Sequence, residues 1–188
     1  MTNAREAVAT ELQRLFEEGF VVVDLETTGF PTQRRVEIIE VAILNHEGRM
    51  LLNTLVKPIG KIPPEASAVN GIYASDVAEA PPFTAVYPQL RELLHGQPVA
   101  AYNFTFERGM FDRVCELHDL DPISPSLWYC PMRGYQRYKN RHRFTKLTSA
   151  CSSEQIVVAN AHRALGDCLM TLELMKKMAE PTEQSLQK

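Results

Sequence analysis

The chain has 188 residues, 45% of them hydrophobic and 23% charged, with a formal net charge of −3, the profile of one globular domain able to bury a sizeable core. That balance excludes a uniformly basic nucleic-acid glue, so any nucleic-acid site must be a local patch or a set of carboxylates masked by metal. Cys115, Cys130, Cys151 and Cys168 are far apart and form no C-x-x-C pair, so neither a zinc knuckle nor a disulfide scaffold is suggested, and the four read as buried reduced thiols in a cytoplasmic protein.

Residues 4–18 set Val8, Leu12, Leu15 and Phe16 at helical spacing, with Gly19 as the stop, which predicts an amphipathic N-terminal helical extension over 1–19. This segment carries Arg5, Glu6, Glu11 and Arg14 and lacks the apolar run of a signal peptide, and no stretch of the chain is apolar enough to span a membrane. Phe20 to Gly29, FVVVDLETTG, runs from four apolar residues into a turn and reads as a buried central strand. Residues 36–45 and 50–56 predict two more strands around His46-Glu47-Gly48-Arg49, completing an antiparallel meander. A Pro/Gly loop follows, then a short helix opening at Pro64-Glu65-Ala66 and another short element at Ser75-Asp76-Val77.

Phe83 to Leu94 carries a helical stripe of Val86, Leu90, Leu93 and Leu94. Pro98 to Tyr102, PVAAY, is a second buried strand, followed by a helix with Phe106, Met110, Phe111, Val114 and Leu117 on its apolar side. Leu127 to Cys130 is a short strand, Pro131 opens a basic helical segment, and Leu147 to Cys151 is another short helix. The last helix, from about Arg163 to Ala179, aligns Leu165, Cys168, Leu169, Leu172, Met175 and Met178 as its core stripe. Residues 181–188 read as a flexible polar tail. A meander followed by alternating helices and strands implies one α/β domain over 20–180, a central mixed sheet flanked by helices.

On a strand, residues two apart point the same way, so Asp24 and Glu26 present two carboxylates on one face. Such a pair suits a hard divalent cation, Mg²⁺ or Mn²⁺; it reads equally well as a strand end emerging into water, and the rest of the chain decides. Glu107 follows the strand PVAAY in AYNFTFE, where it serves either a site or a helix dipole with Thr105 as cap. Asp167 falls in HRALGD, as a ligand or a polar-face residue. Five residues of helix amount to about 140° of net rotation. His162 and Asp167 therefore share a site only if His162 precedes the helix and Asp167 lies in its first turns, a geometry that Asn160 and Ala161 permit.

These residues resemble the DEDDh branch of the 3′→5′ exonucleases, in the ribonuclease H-like superfamily, a group that includes the proofreading subunit of bacterial DNA polymerase III and ribonuclease T. VVVDLETTG matches its first motif, AYNFTFE its second and HRALGD its third, in order. IPPEASAVNGI resembles the segment between the first two, with Asn70 where many members have histidine. The resemblance spans about Phe20 to Met178. It departs at Glu107, where the family pattern expects aspartate; one extra methylene displaces the carboxylate by roughly 1.5 Å.

The resemblance implies a ribonuclease H-like fold and hydrolysis of phosphodiesters at 3′ ends of single-stranded nucleic acid, DNA favoured, to nucleoside 5′-monophosphates. Two ions about 4 Å apart generate the attacking hydroxide and stabilise both reacting oxygens. By resemblance Asp24 bridges both ions, Glu26 and Asp167 hold one, Glu107 holds or orients the other, and His162 takes the proton from the attacking water, a task suited to histidine.

For substrate grip, Arg133 to Lys146 interleaves basic residues with Tyr135, Tyr138 and Phe144, the usual combination for single strands. Arg137, Lys139, Arg141 and Arg143 are its candidate phosphate ligands, unless the segment is a solvated basic face. Leu25, Thr27 and Phe106 flank the acids and are candidates to sandwich the terminal base, with Asn70 and Asn103 beside them. The expected partners are single-stranded DNA or RNA 3′ ends and a polymerase or repair protein. Two alternatives stand: an RNA 3′-end-trimming exoribonuclease, and an exonuclease fold weakened by Glu107 that binds nucleic acid or a partner without cutting.

Overall fold

The computed structural model describes residues 4–159 and 161–181. Its sheet has five strands in the order β3-β2-β1-β4-β5: β1 (Val21–Thr27), β2 (Ile38–Asn45), β3 (Met50–Leu55), β4 (Pro98–Ala100) and β5 (Leu127–Tyr129). β1 pairs antiparallel with β2, and β2 with β3, which makes the expected meander. β4 joins the other edge of β1 in parallel, and β5 follows it in parallel, so the sheet is mixed. Around it lie α1 (Ala4–Glu18), α2 (Pro64–Asn70), α3 (Phe83–Leu94), α4 (Phe104–Leu117), α5 (Pro131–Tyr138), α6 (Leu147–Ser153) and α7 (Ala164–Ala179).

Strand alternation sorts β1 between two cores. Val21, Val23 and Leu25 face one core with α3 and α4. Val22 faces the other, with Leu12 of α1 and Cys168, Leu172 and Met175 of α7. Asp24 and Glu26 share the parity of Val22, so both point to the α7 side. There the Cys168 thiol reaches the carbonyls of Ala42 and Val22, at 3.4 and 3.8 Å, which marks how closely α7 crosses the strands. Val8, Leu12 and Leu15 bury α1 in this same core, as their spacing predicts. All four cysteines are buried and unbridged.

Several boundaries differ from the sequence reading. Phe20 precedes β1, β2 begins at Ile38, and β4 ends at Ala100, so Ala101 and Tyr102 already form the turn into α4. Ser75-Asp76-Val77 forms turns, with Asp76 accepting the Tyr73 N–H at 2.7 Å. Leu169 is not a core residue: it is 45% exposed and lines a lateral cavity of about 410 Å³ with Leu165 and Glu173. Those three follow the i, i+4, i+8 row along the flank of α7, while Cys168, Leu172 and Met175 take the row facing the sheet. Leu117 ends α4 and is likewise exposed. Among the described residues, no helix is long and apolar enough to cross a membrane.

Candidate active site

The parallel strands β1 and β4 run side by side, and their carboxyl ends open into one cleft of about 480 Å³. Crevices beyond the carboxyl ends of parallel strands are where ligands bind in open α/β sheets. β1 supplies Asp24 and Glu26 from above the α7 face. The chain leaving β4 turns through Tyr102 and Asn103 into α4 and sets Glu107 in its first turn. α7 supplies Asp167, also in its first turn, with His162 just before the helix. That is the arrangement their spacing demanded; Asn160, read as part of the spacer, lies outside the described residues.

One oxygen each of Asp24, Glu26 and Asp167 lies within 4.8 Å of the others. Glu107 lines the same cleft but stands outside that trio. Its side chain is 5% exposed, and Oε2 is buried with no hydrogen-bond partner. A buried carboxylate oxygen without a partner calls for a proton or a cation. The titration of the group says the same. Burial, then the charges of Glu107, Asp167 and Glu26, pushes Asp24 well above the usual carboxylate range. Burial, then Asp167 and Glu40, lifts Glu26 to about 8, against the pull of Arg163. Glu107 is raised by burial and by Asp167. Asp167 is raised by burial, opposed by the His162 N–H and charge. Four crowded carboxyls that cannot all ionise alone, one with an orphaned oxygen, fit hard divalent cations.

His162 is exposed at the mouth of the cleft, in the left-handed region at φ 63°, and its backbone N–H donates to Asp167 Oδ1 at 3.3 Å. The next residue is anchored by a partner that the sequence reading missed. The Arg163 guanidinium donates to both oxygens of Glu40, from Nε at 3.1 and 3.2 Å and from Nη2 at 2.6 Å. Glu40 Oε2 also accepts the Ala164 N–H at 3.0 Å. Glu40 is buried on β2 directly opposite Glu26 in the sheet register. It thus ties the start of α7 to β2, the strand paired with the one that carries Asp24 and Glu26. A glutamate inside the apolar run VEIIEVAILN was the available signal.

The substrate candidates divide. Leu25, Thr27, Asn70, Asn103 and Phe106 all line the cleft. Asn70 Nδ2 donates to the Thr27 carbonyl at 3.4 Å and Oδ1 accepts the Ile72 N–H at 3.0 Å, and its side chain also hydrogen-bonds Glu26. The cleft also holds Phe30, 67% exposed, whose ring meets Phe106 edge-on at 6.2 Å, together with Val69, Leu147 and Glu65. Beside it, a Cβ on Gly29 would meet Gln33 Oε1 and displace that side chain, which accepts the Phe30 N–H. By contrast Arg137, Lys139, Arg141 and Arg143 do not line the cleft. Arg137 pairs with Glu11 at 2.8 Å and Lys139 with Glu154 at 2.6 Å.

The exonuclease family RNase_T matches the chain over residues 21–175. The chain belongs to this exonuclease family. It is 29% identical over 192 residues to an uncharacterized exonuclease, CP81, of Escherichia phage 186, with 96% of this chain and 97% of that protein covered. It is 28% identical to the 3′-5′ exonuclease DinG of Bacillus subtilis over 91% of this chain, which corresponds to 19% of DinG. Among solved structures, Exonuclease X in complex with 5′ overhanging duplex DNA superposes with a TM-score of 0.66 at 26% identity, covering 85% of this chain and 90% of that one. The chain is therefore a nuclease of ribonuclease H-like fold, and its structural neighbours are DEDDh exonucleases.

Proposed function

We propose that this exonuclease is a metal-dependent 3′→5′ enzyme that trims single-stranded ends, DNA favoured, to nucleoside 5′-monophosphates. The observation that carries the reading is the convergence of Asp24, Glu26 and Asp167 within 4.8 Å, beside the orphaned Glu107 oxygen. Asp24, Glu26, Asp167 and Glu107 would hold Mg²⁺ or Mn²⁺, which when bound supplies charge neutralisation and an acidified water. The rest falls to the chain's own side chains. Phe30 and Phe106 offer an aromatic corner for the terminal base, with Leu25 and Thr27 also lining the cleft, and Val69 and Leu147 add apolar wall. The His162 imidazole, exposed at the mouth, takes the proton of the attacking water and can pass it to solvent. Phosphate and stacking contacts read little base identity, so cleavage is sequence-tolerant.

The test is shortening of 5′-labelled DNA and RNA oligonucleotides with Mg²⁺, Mn²⁺ or EDTA, in wild type and Asp24→Ala. Products one nucleotide shorter at a time, ending in EDTA and absent in Asp24→Ala, are expected. Cleavage that survives either treatment refutes the metal-carboxylate reading. A second reading, a binder that does not cut, is favoured by the position of Glu107 outside the carboxylate trio. Retained oligonucleotide binding without cleavage in Mg²⁺ and Mn²⁺ would establish it.

A further inference from the structure

A second depression lies beyond the cleft, a groove of about 1160 Å³ between α1, α5 and the end of β5. Four arginines, Arg14, Arg133, Arg137 and Arg141, line it together with His142, against only Glu11 and Glu18. Glu11 is already neutralised by Arg137. The groove is therefore a basic surface on a chain whose overall charge is −3. Its aromatic wall is Trp128, stacked on Phe104 with ring centroids 5.9 Å apart and planes 20° from parallel. The Arg133 guanidinium lies 5.6 Å from the Phe104 ring centre. Stacked aromatic rings with a guanidinium beside them, set among further cations, recognise bases and phosphates together.

Two connections join groove to cleft. Phe104 in the groove wall follows Asn103 in the cleft wall. The segment 140–147 also contributes to the groove at one end, through Asn140 to His142, and to the cleft at the other, through Leu147. That segment is fastened on both sides: Gln136 Nε2 donates to the Arg143 carbonyl at 3.0 Å, and the Tyr102 hydroxyl donates to the Thr145 carbonyl at 2.7 Å. Between the fastenings Phe144 stands 65% exposed.

Resting on the exonuclease reading above, we infer that the groove holds the upstream part of the substrate strand. A single strand whose 3′ end occupies the cleft runs along residues 140–147 and lays its phosphates against Arg133, Arg141 and His142, with a base against Trp128. The α1 helix, which lies before the matched family region, then forms the far bank of a substrate channel as well as part of the core. An acidic peptide such as polyglutamate could match the charge and pair with Arg133 through its carboxylates, but it has no aromatic plane to stack on Trp128.

Trp128 is the single tryptophan of the chain, so its fluorescence reports occupancy of the groove without any turnover. Oligothymidylates of 4 and 15 nucleotides are titrated in EDTA, where cleavage is off, with polyglutamate as the acidic control. The 15-mer is expected to quench Trp128 saturably and to bind roughly tenfold tighter than the 4-mer, while polyglutamate leaves the emission unchanged. Arg133→Gln with Arg141→Gln should collapse that length advantage and flatten the salt dependence of 15-mer affinity by about 0.7 per lost phosphate contact, with the melting temperature held as a check on folding. Equal binding of both lengths, unchanged Trp128 emission, or equal quenching by polyglutamate overturns the proposal. Length-dependent quenching with no cleavage of either oligomer in Mg²⁺ supports the groove and overturns the enzyme reading instead.

Discussion

Removing divalent cations should make the protein's stability fall steeply as pH rises. Glu26 is 9% exposed, and its folded pKa is lifted from the usual 4.5 to about 8 by burial and by Asp167 and Glu40. An acid whose folded pKa lies above its unfolded one binds its proton more tightly in the folded state, so raising pH through the interval from 4.5 to about 8 destabilises the fold. Below 4.5 the effect is absent and above 8 it is complete. At roughly 1.4 kcal/mol per pH unit, Glu26 alone sets a ceiling of about 5 kcal/mol. Asp24 and Glu107 push in the same direction but respond to overlapping charges, so the three effects do not add. For a chain of this length about 5 kcal/mol corresponds to a drop of roughly 10–20 °C in Tm. Scanning calorimetry in EDTA from pH 5 to 8.5 should show that fall, and Mg²⁺ at about 100 times its Kd should return ~2.7 kcal/mol at pH 8. Glu107→Gln, which removes the charge at the orphaned oxygen, should raise Tm in EDTA at pH 8 and shrink the response to Mg²⁺. A Tm flat across this range in EDTA, or a fall that Mg²⁺ does not reverse, would refute the carboxylate cluster as a cation site.

Two further outcomes test the third motif. His162→Ala should lower turnover by roughly 10²–10⁴-fold and reshape the acid limb of the pH–rate profile, while the Mg²⁺ dependence stays as in wild type; an unchanged rate and profile would reduce His162 to a loop residue. Arg163→Gln should leave Glu40 buried without its counter-charge beside Glu26, cost about 1–3 kcal/mol in Tm measurements, and lower kcat more than it raises KM; partial recovery in Arg163→Lys is expected, and an effect confined to KM would show that the pair does not set the His162 position.

The β1 strand and its carboxylates were legible because the information is local. An apolar run reports a strand buried on both faces, and the period of two places Asp24 and Glu26 on one side of it. The five-residue offset between His162 and Asp167 likewise contained its own geometry, since only a histidine outside the helix could meet an aspartate in its first turn. Leu169 was misplaced for a related reason. A helix wedged between a sheet and a lateral cavity has two apolar rows, and the sequence does not say which row faces the sheet.

Charges were harder to read, because their meaning depends on partners far along the chain. Glu40 sits 123 residues before Arg163 and looks like a flaw in an apolar strand until the pair is seen. Arg137 finds Glu11 across 126 residues, and Lys139 finds Glu154, so two of the four candidate phosphate ligands already carry counter-charges. A basic segment read from composition therefore overstates the cations available to a polyanion. Those left for a strand in the groove include Arg133 and Arg141, which no carboxylate of the described residues meets within ion-pair distance. The unpaired cations, rather than the densest run of basic residues, mark where a phosphate backbone gains most from contact.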